Sequence, residues 1–303
     1  MRIIANLRKD ILRNKYIYLM ALPVIAFYIC FCYLPMGGMA IAFQDYAPAK
    51  GIGGSQWVGF ENFIAFFQDY QFPRLLRNTL SLSFKLILFG FPAPILLALL
   101  INELYWKKYK KVVQTISYLP HFISLVVICG MISEFTSKTG VINQVLTFFG
   151  VEPSTYLLRP ELFHPVFIIS DIWQSIGWSS IVYLSAISAI DPGLYEAATI
   201  DGAGRFRQIL HVTLPSLIPT ITILFIMRIG NLMSLGYEKV ILLYNPTIME
   251  TADIIASYTY RRGILDMDYG FSTAVGIFNS VINFGFLWLA NTVSKKLTEN
   301  SLW

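Results

Sequence analysis

Residues 191–215 read DPGLYEAATIDGAGRFRQILHVTLP, and the way this stretch folds decides the organisation of everything around it. Apolar runs flank it, yet the stretch itself is polar and helix-patterned. Asp191 can cap a helix whose first position is Pro192, because a side-chain oxygen satisfies a free amide of the first turn and proline's fixed φ suits that turn. The pattern predicts a short helix from Pro192 to about Asp201. Gly202 and Gly204 then end it, while Ala197, Ala198 and Ala203 keep the surface low enough for another backbone to come close. A second short basic segment, Arg205 to His211, precedes the next apolar run, which starts at Leu214 and Pro215.

Composition says what surrounds this stretch. Of 303 residues, 55% are hydrophobic and only 14% charged, and mean hydropathy is +0.58, which fits a membrane protein better than a soluble one. The net charge of +5 is scattered over short connections rather than gathered on one face, so it marks topology and gives no reason to expect nucleic acid. Cys30, Cys32 and Cys129 all fall inside apolar runs, which argues against a disulfide framework or a metal site.

A basic N-terminal segment, residues 1–15, precedes an apolar run too long for a signal peptide. A spanning helix needs about 20 mainly apolar residues, and six runs qualify, at about 16–43, 78–104, 113–135, 163–190, 214–235 and 271–293. The expectation is an all-α membrane protein, with residues 16–303 forming one domain of six transmembrane helices and the loop 191–213 between the fourth and fifth. Lys and Arg set the orientation. One side carries Arg2, Arg8, Lys9, Arg13, Lys15, Lys107, Lys108, Lys110, Lys111, Arg205, Arg207, Lys295 and Lys296. The other has Lys50, Arg74, Lys138, Arg159, Lys239, Arg261 and Arg262 on longer loops, thirteen against seven. Both termini and the loop 191–213 are therefore expected in the cytoplasm.

Polar side chains inside spans cost free energy and mark candidate sites. The fourth span places Asp171, Gln174, Ser175 and Trp178 at helical offsets that share one face. The fifth places Arg228 three residues before Asn231. A mid-span arginine costs about 2.5–3.5 kcal/mol and needs a partner, for which Asp171 is the obvious candidate. An acid, a guanidinium, amides and an indole suit a sugar, whose hydroxyls take directional hydrogen bonds while its ring stacks on an aromatic. A purely structural Asp171–Arg228 pair and interhelical bonds from Gln174 and Asn231 remain alternatives. His121 could line the same cavity or bond a carbonyl freed by Pro120. Lys85 is expected to snorkel or to face a neighbouring helix.

No catalytic constellation is present. The chain lacks a G-x-x-x-x-G-K-[ST] phosphate loop, a G-x-S-x-G elbow and an H-E-x-x-H pair, and His121, His164 and His211 are too dispersed for a metal site.

Glu196, Ala197, Ala198, Asp201, Gly202 and Ala203, followed by Leu214 and Pro215, resemble the EAA loop of permease subunits in binding-protein-dependent ABC importers. Gly51–Gly54, Trp57 to Phe63 and Asn78-Thr79-Leu80 resemble the carbohydrate branch, and residues 236–270 resemble its MalF-like and LplB-like polysaccharide permeases. The resemblance implies the type I ABC importer permease fold in a bacterial cell membrane. It implies a coupling helix in which Tyr195, Glu196, Ala197, Ala198, Asp201, Gly202, Ala203 and Arg205 meet a cytoplasmic ATPase, and cargo contacts from the spans flanking that loop. It also implies a heterodimer with a second, homologous permease, two copies of the ATP-binding subunit and an extracellular solute-binding protein, lipoprotein or periplasmic. The cargo would be an oligosaccharide, moved by alternating access, with ATP and Mg bound in the ATPase subunits and no cofactor in this chain. A peptide or amino acid cargo, and a secondary transporter acting alone, remain open at this point.

Overall fold

In lipid, every backbone amide and carbonyl must find a partner within the protein, so long apolar segments become helices. In the computed structural model, which describes residues 13–298 and 301–303, they do. Arg2, Arg8 and Lys9 of the expected basic segment lie outside the described residues. The chain divides into two compact units.

One unit combines the described residues up to Gln68 with Arg262–Ile277. Its helix α1 (Lys15–Phe43) is 29 residues long. A π turn at Ile29–Tyr33 interrupts it just before Pro35, whose missing N–H cannot continue the ladder. A two-residue hairpin follows, with β1 (Gln44–Asp45) antiparallel to β2 (Gln56–Trp57), and then α2 (Glu61–Gln68). Asn62 Nδ2 donates to the carbonyls of Ala42 and Gln44, which locks the hairpin to α2. The rings of Phe43, Phe60 and Phe63 cluster at 5.4–5.7 Å.

The second unit runs from Asp69 to Arg261 and resumes at Phe278. It holds α3 (Phe72–Asn102), α4 (Lys107–Phe122), α5 (Leu125–Phe135), α6 (Val141–Phe148), α7 (Pro160–Ser188), α8 (Pro192–Ile200), α9 (Arg205–Ile229), α10 (Tyr237–Leu243) and α11 (Ile255–Tyr260). The last helix, α12 (Tyr269–Thr298), begins in the first unit and ends in the second. Among the described residues α1, α3, α9 and α12 are long and apolar enough to cross a membrane, and the pair α4–α5 would make a fifth. The 29-residue α7 is as long, but Asp171, Gln174 and Ser175 interrupt its apolar surface.

Three sequence expectations change. The span expected at 113–135 is two helices bent by 99°. Pro120 forces a tight turn, Ile123 is extended, and Ser124 Oγ caps α5 by accepting from Val127 N at 3.4 Å. The basic segment 205–211 is not a separate helix but the first turns of α9, which continues through a π turn at Ile209–Thr213 just before Pro215. That helix stops at Ile229, short of the expected 235, so Asn231 sits in the turn that follows.

The third change concerns residues 236–261, expected as part of an outer connection. They fold into the core instead. Val240, Leu243, Ile248 and Ile254 pack with Leu82, Leu86, Ile128, Phe163 and Phe167, each apolar side chain contributing about 1.5–3 kcal/mol. Polar anchors fix the path. Asn78 Nδ2 donates to the carbonyls of Glu250 and Asp253 at 2.8 and 2.9 Å, and Thr79 Oγ1 accepts from Ile255 N. Asp253 is fully buried. It takes both guanidinium nitrogens of Arg261 at 2.9 and 2.6 Å and the hydroxyl of Ser257 at 2.7 Å, so a charge that would be costly alone is matched.

Gly177 fixes how α7 meets α4. A Cβ there would run into the Ser117 carbonyl, which is backbone and cannot swing aside. Gly177→Ala should therefore force the two helices apart and cost about 1–3 kcal/mol, read as a lower melting temperature of the purified protein in detergent.

Candidate functional site

The site is built where α7 passes the end of α9. Pro160 sits at the first position of α7, and the helix runs unbroken past Asp171, Gln174, Ser175 and Trp178, so the 3.6-residue period carries these side chains down one face. Ser175 Oγ returns its proton to the Asp171 carbonyl at 2.7 Å. Arg228 lies in the last turn of α9, and Asn231 Nδ2 donates back to the Met227 carbonyl at 3.0 Å.

Two cavities meet along this line. One, of about 220 Å³, is lined by Asp171, Gln174, Arg228, Asn231, Ser234 and Lys239 among others. The second, of about 500 Å³, is lined by Asp171, Ser175, Trp178, Tyr183 and Arg228 among others. Asp171 and Arg228 belong to both walls. The α7 face is thereby split, with Gln174 on the first cavity and Ser175 and Trp178 on the second. His121 takes part through Trp178, on which its ring stacks at 4.6 Å and 3°, while the edge of Phe122 closes the aromatic group at 5.7 Å.

The expected Asp171–Arg228 ion pair does not form. Asp171 Oδ1 pairs instead with Lys239 Nζ at 3.5 Å. Lys239 is only 4% exposed, and its ammonium also approaches the Phe167 carbonyl at 3.4 Å and lies 4.7 Å from the centre of the Phe167 ring. Burial pushes the Lys239 amine below the ordinary lysine value, and the Asp171 carboxylate offsets part of that. Sequence reasoning counted Lys239 as a topology marker on an outer loop. The available signal was its place in YEKVILL, a lone cation ahead of an apolar run that itself needed burial.

Lys85 stays outside the cavities. Its Nζ lies 2.8 Å from His164 Nδ1, and His164 Nε2 bonds the Thr251 carbonyl at 3.1 Å, a polar chain from α3 through α7 to the turn before α11.

The stretch 191–204 forms the helix its sequence predicts. Asp191 Oδ1 accepts from Gly193 N at 2.9 Å. At the other end Gly202 takes φ of +75°, and the amides of Gly202 and Ala203 close onto the carbonyls of Thr199 and Ala198, the double closure that a left-handed glycine permits. Tyr195 Oη bonds Thr213 Oγ1 at 2.9 Å, and Gln208 Nε2 donates to Thr199 Oγ1 and the Ala203 carbonyl. Tyr195 and Gln208 thus hold α8 against the start of α9. Glu196, Asp201 and Arg205 are exposed, and their side chains form no hydrogen bond or ion pair among the described residues. Leu194, Ile200 and Phe206 are exposed beside them, Ile200 at 87%.

A charged cavity between long apolar helices, with a short exposed helix joining the two helices that supply its polar wall, describes a membrane component of a transport system. The chain belongs to the family of binding-protein-dependent transport system inner membrane components, whose pattern it matches over residues 76–299. It is 45% identical, over 97% of its length and 92% of that protein, to the polygalacturonan/rhamnogalacturonan transport system permease protein YteP of Bacillus subtilis. It is 43% identical to protein LplB of the same organism, over 96% of this chain and 92% of that one. Among solved structures it matches a chain of a bacterial ABC transporter involved in the import of the acidic polysaccharide alginate. The TM-score is 0.89 and the identity 46%, with 97% of this chain and 99% of that chain covered. The type I ABC importer permease fold follows from that match.

The Asp171–Lys239 pair makes a measurable demand. Asp171→Asn leaves a buried ammonium without its counter-charge and should cost about 3 kcal/mol. Adding Lys239→Met removes the stranded charge, so the double variant should recover most of the melting temperature that the single variant loses.

Proposed function

We propose that this chain is one transmembrane half of an ATP-driven importer that takes an oligosaccharide from an extracellular solute-binding protein and releases it into the cytoplasm by alternating access. The observation that carries this is a connection. The exposed helix α8 joins α7, which supplies Asp171, Gln174 and Trp178, to α9, which supplies Arg228. A push on α8 therefore reaches both walls of the cavity through continuous helices, the arrangement that alternating access requires.

In this reading a cytoplasmic ATPase, present in two copies and carrying the ATP and Mg, receives α8 in a cleft. Leu194, Ile200 and Phe206 supply apolar contact, and the side chains of Glu196 and Arg205, unengaged among the described residues, bond the ATPase. A second, homologous permease completes the pathway, with six spans in this subunit and both termini in the cytoplasm. The two cavities suit a sugar, offering amides and a guanidinium for hydroxyls and the Trp178 indole for a ring face. Of the relatives named above, YteP is a polygalacturonan/rhamnogalacturonan transport permease, and the solved alginate importer also occurs in complex with an alginate pentasaccharide-bound periplasmic protein. Both facts favour an oligosaccharide over a peptide or amino acid, and an importer subunit over a transporter acting alone.

Cross-linking tests the docking. A thiol at Ala198→Cys should capture an ATP-hydrolysing subunit and react only with reagents that reach the cytoplasm. Capture of no such subunit, or labelling from outside the cell, overturns the proposal. Gly202→Val strains a residue that needs positive φ, at about 1–2 kcal/mol, in otherwise open space. It should lower substrate-stimulated ATP hydrolysis by the assembled importer while leaving subunit assembly intact.

A further inference from the structure

We infer that Arg228 gives this cavity a preference for oligosaccharides that carry carboxylates, a refinement that rests on the importer assignment above. Among the described residues, Asp171, Arg228 and Lys239 are the only charged ones lining the two cavities. Lys239 and Asp171 neutralise each other at 3.5 Å. Among the described residues no carboxylate lies within ion-pairing distance of Arg228, and its guanidinium forms no hydrogen bond. The remaining polar side chains of both walls are neutral. The cavities together therefore present one unmatched positive charge, on a side chain that lines both.

Arg228 is exposed, so solvent screens part of its charge, and what favours an anion there is a guanidinium with no competing carboxylate set among apolar helices. A guanidinium binds a carboxylate through two parallel hydrogen bonds, and charge-assisted bonds of this kind are roughly twice as strong as those to neutral hydroxyls. A neutral sugar would leave the guanidinium with hydroxyl partners only. A sugar acid would match it in charge and in shape. Had Asp171 paired with Arg228, Lys239 would have been left buried and unmatched; Lys239 takes the carboxylate, and Arg228 is what remains for cargo.

The probe is tetragalacturonate against its methyl ester, the same chain of sugars with its carboxylates capped. Binding of each is measured by titration calorimetry on the assembled complex of both permeases and the ATPase subunits, without the binding protein, so that only the membrane cavity selects. The wild type should bind the acid about tenfold more tightly than the ester. Arg228→Gln should bring the two within about twofold, and Arg228→Lys should keep part of the preference. Asn231→Asp, which sets a carboxylate one turn from an intact Arg228, should also abolish it. Size-exclusion profiles confirm that each variant assembles.

Equal affinity of the wild type for acid and ester, or no binding of either, overturns the inference. So does a preference that survives Arg228→Gln, which would put the anion-selecting group on the second permease. The importer assignment is read separately, in proteoliposomes carrying the complex and its binding protein. Absence of ATP-dependent uptake of any saccharide the binding protein holds would overturn that assignment, whereas uptake with equal cavity affinities removes only the charge preference.

Discussion

A buried lysine organises this protein. Lys239 sits almost wholly inside the second unit, where a lone ammonium would cost several kcal/mol, and a carboxylate with hydrogen-bonding groups around it is what makes the position tenable. Asp171 and the Phe167 carbonyl, both on α7, meet that need. The pair therefore draws α10 against α7 and sets the floor of the smaller cavity. It also consumes the one carboxylate that the described residues place in the cavity walls, which gives Arg228 its unmatched charge. Packing and recognition follow from the same ion pair.

The segment that delivers Lys239 is held by a second set of charges. Asp253, Arg261 and Ser257 form a closed group, with Arg74 of α3 3.8 Å from the same carboxylate. Asn78 and Thr79, one turn further along α3, hold the backbone on either side of Asp253. Tyr258 donates to Asp69 at the start of the same unit. Irregular backbone at this position in a membrane protein survives only when its polar groups are satisfied internally. Here α3 supplies the partners, and in return residues 240–255 bury the apolar side chains that close the core.

Much of this was legible in the sequence, and the failures share a cause. Local signals worked where the answer was local. Asp191 and Pro192 opened α8, Gly202 closed it, and the offsets among Asp171, Gln174, Ser175 and Trp178 placed them on one face. Helix ends governed by long-range packing were less visible, so α9 starts nine residues earlier than the hydropathy of Leu214 suggests, with Gln208 and Tyr195 holding its polar first turns. The choice of ion-pair partner was not visible at all. A reading confined to spans paired Asp171 with Arg228, the charge in the span that follows it across the loop 191–213. The competitor lay in a segment that hydropathy assigned to the outside, and only its own anchors to α3 reveal that it turns inward.

The connection between α8 and the cavity depends on how stiff the intervening helices are. From Asp171 to Ser188 α7 runs for about 26 Å at 1.5 Å per residue, without a break in its helical ladder. The route through α9 is different. The π turn at Ile209–Thr213 and Pro215 interrupt its regular ladder near α8, and α3 has a similar interruption at Leu86–Gly90, just before Pro92, beside both cavities. A widened turn has poorer hydrogen bonds than the α-helix on either side and is the place where a helix yields. A displacement of α8 would therefore pass along α7 as a rigid movement and along α9 as a bend near its start. Since Asp171 rides on the first and Arg228 on the second, the two shared residues of the cavity walls would move by different amounts, and the unmatched guanidinium would shift relative to the pair that holds α10 in place.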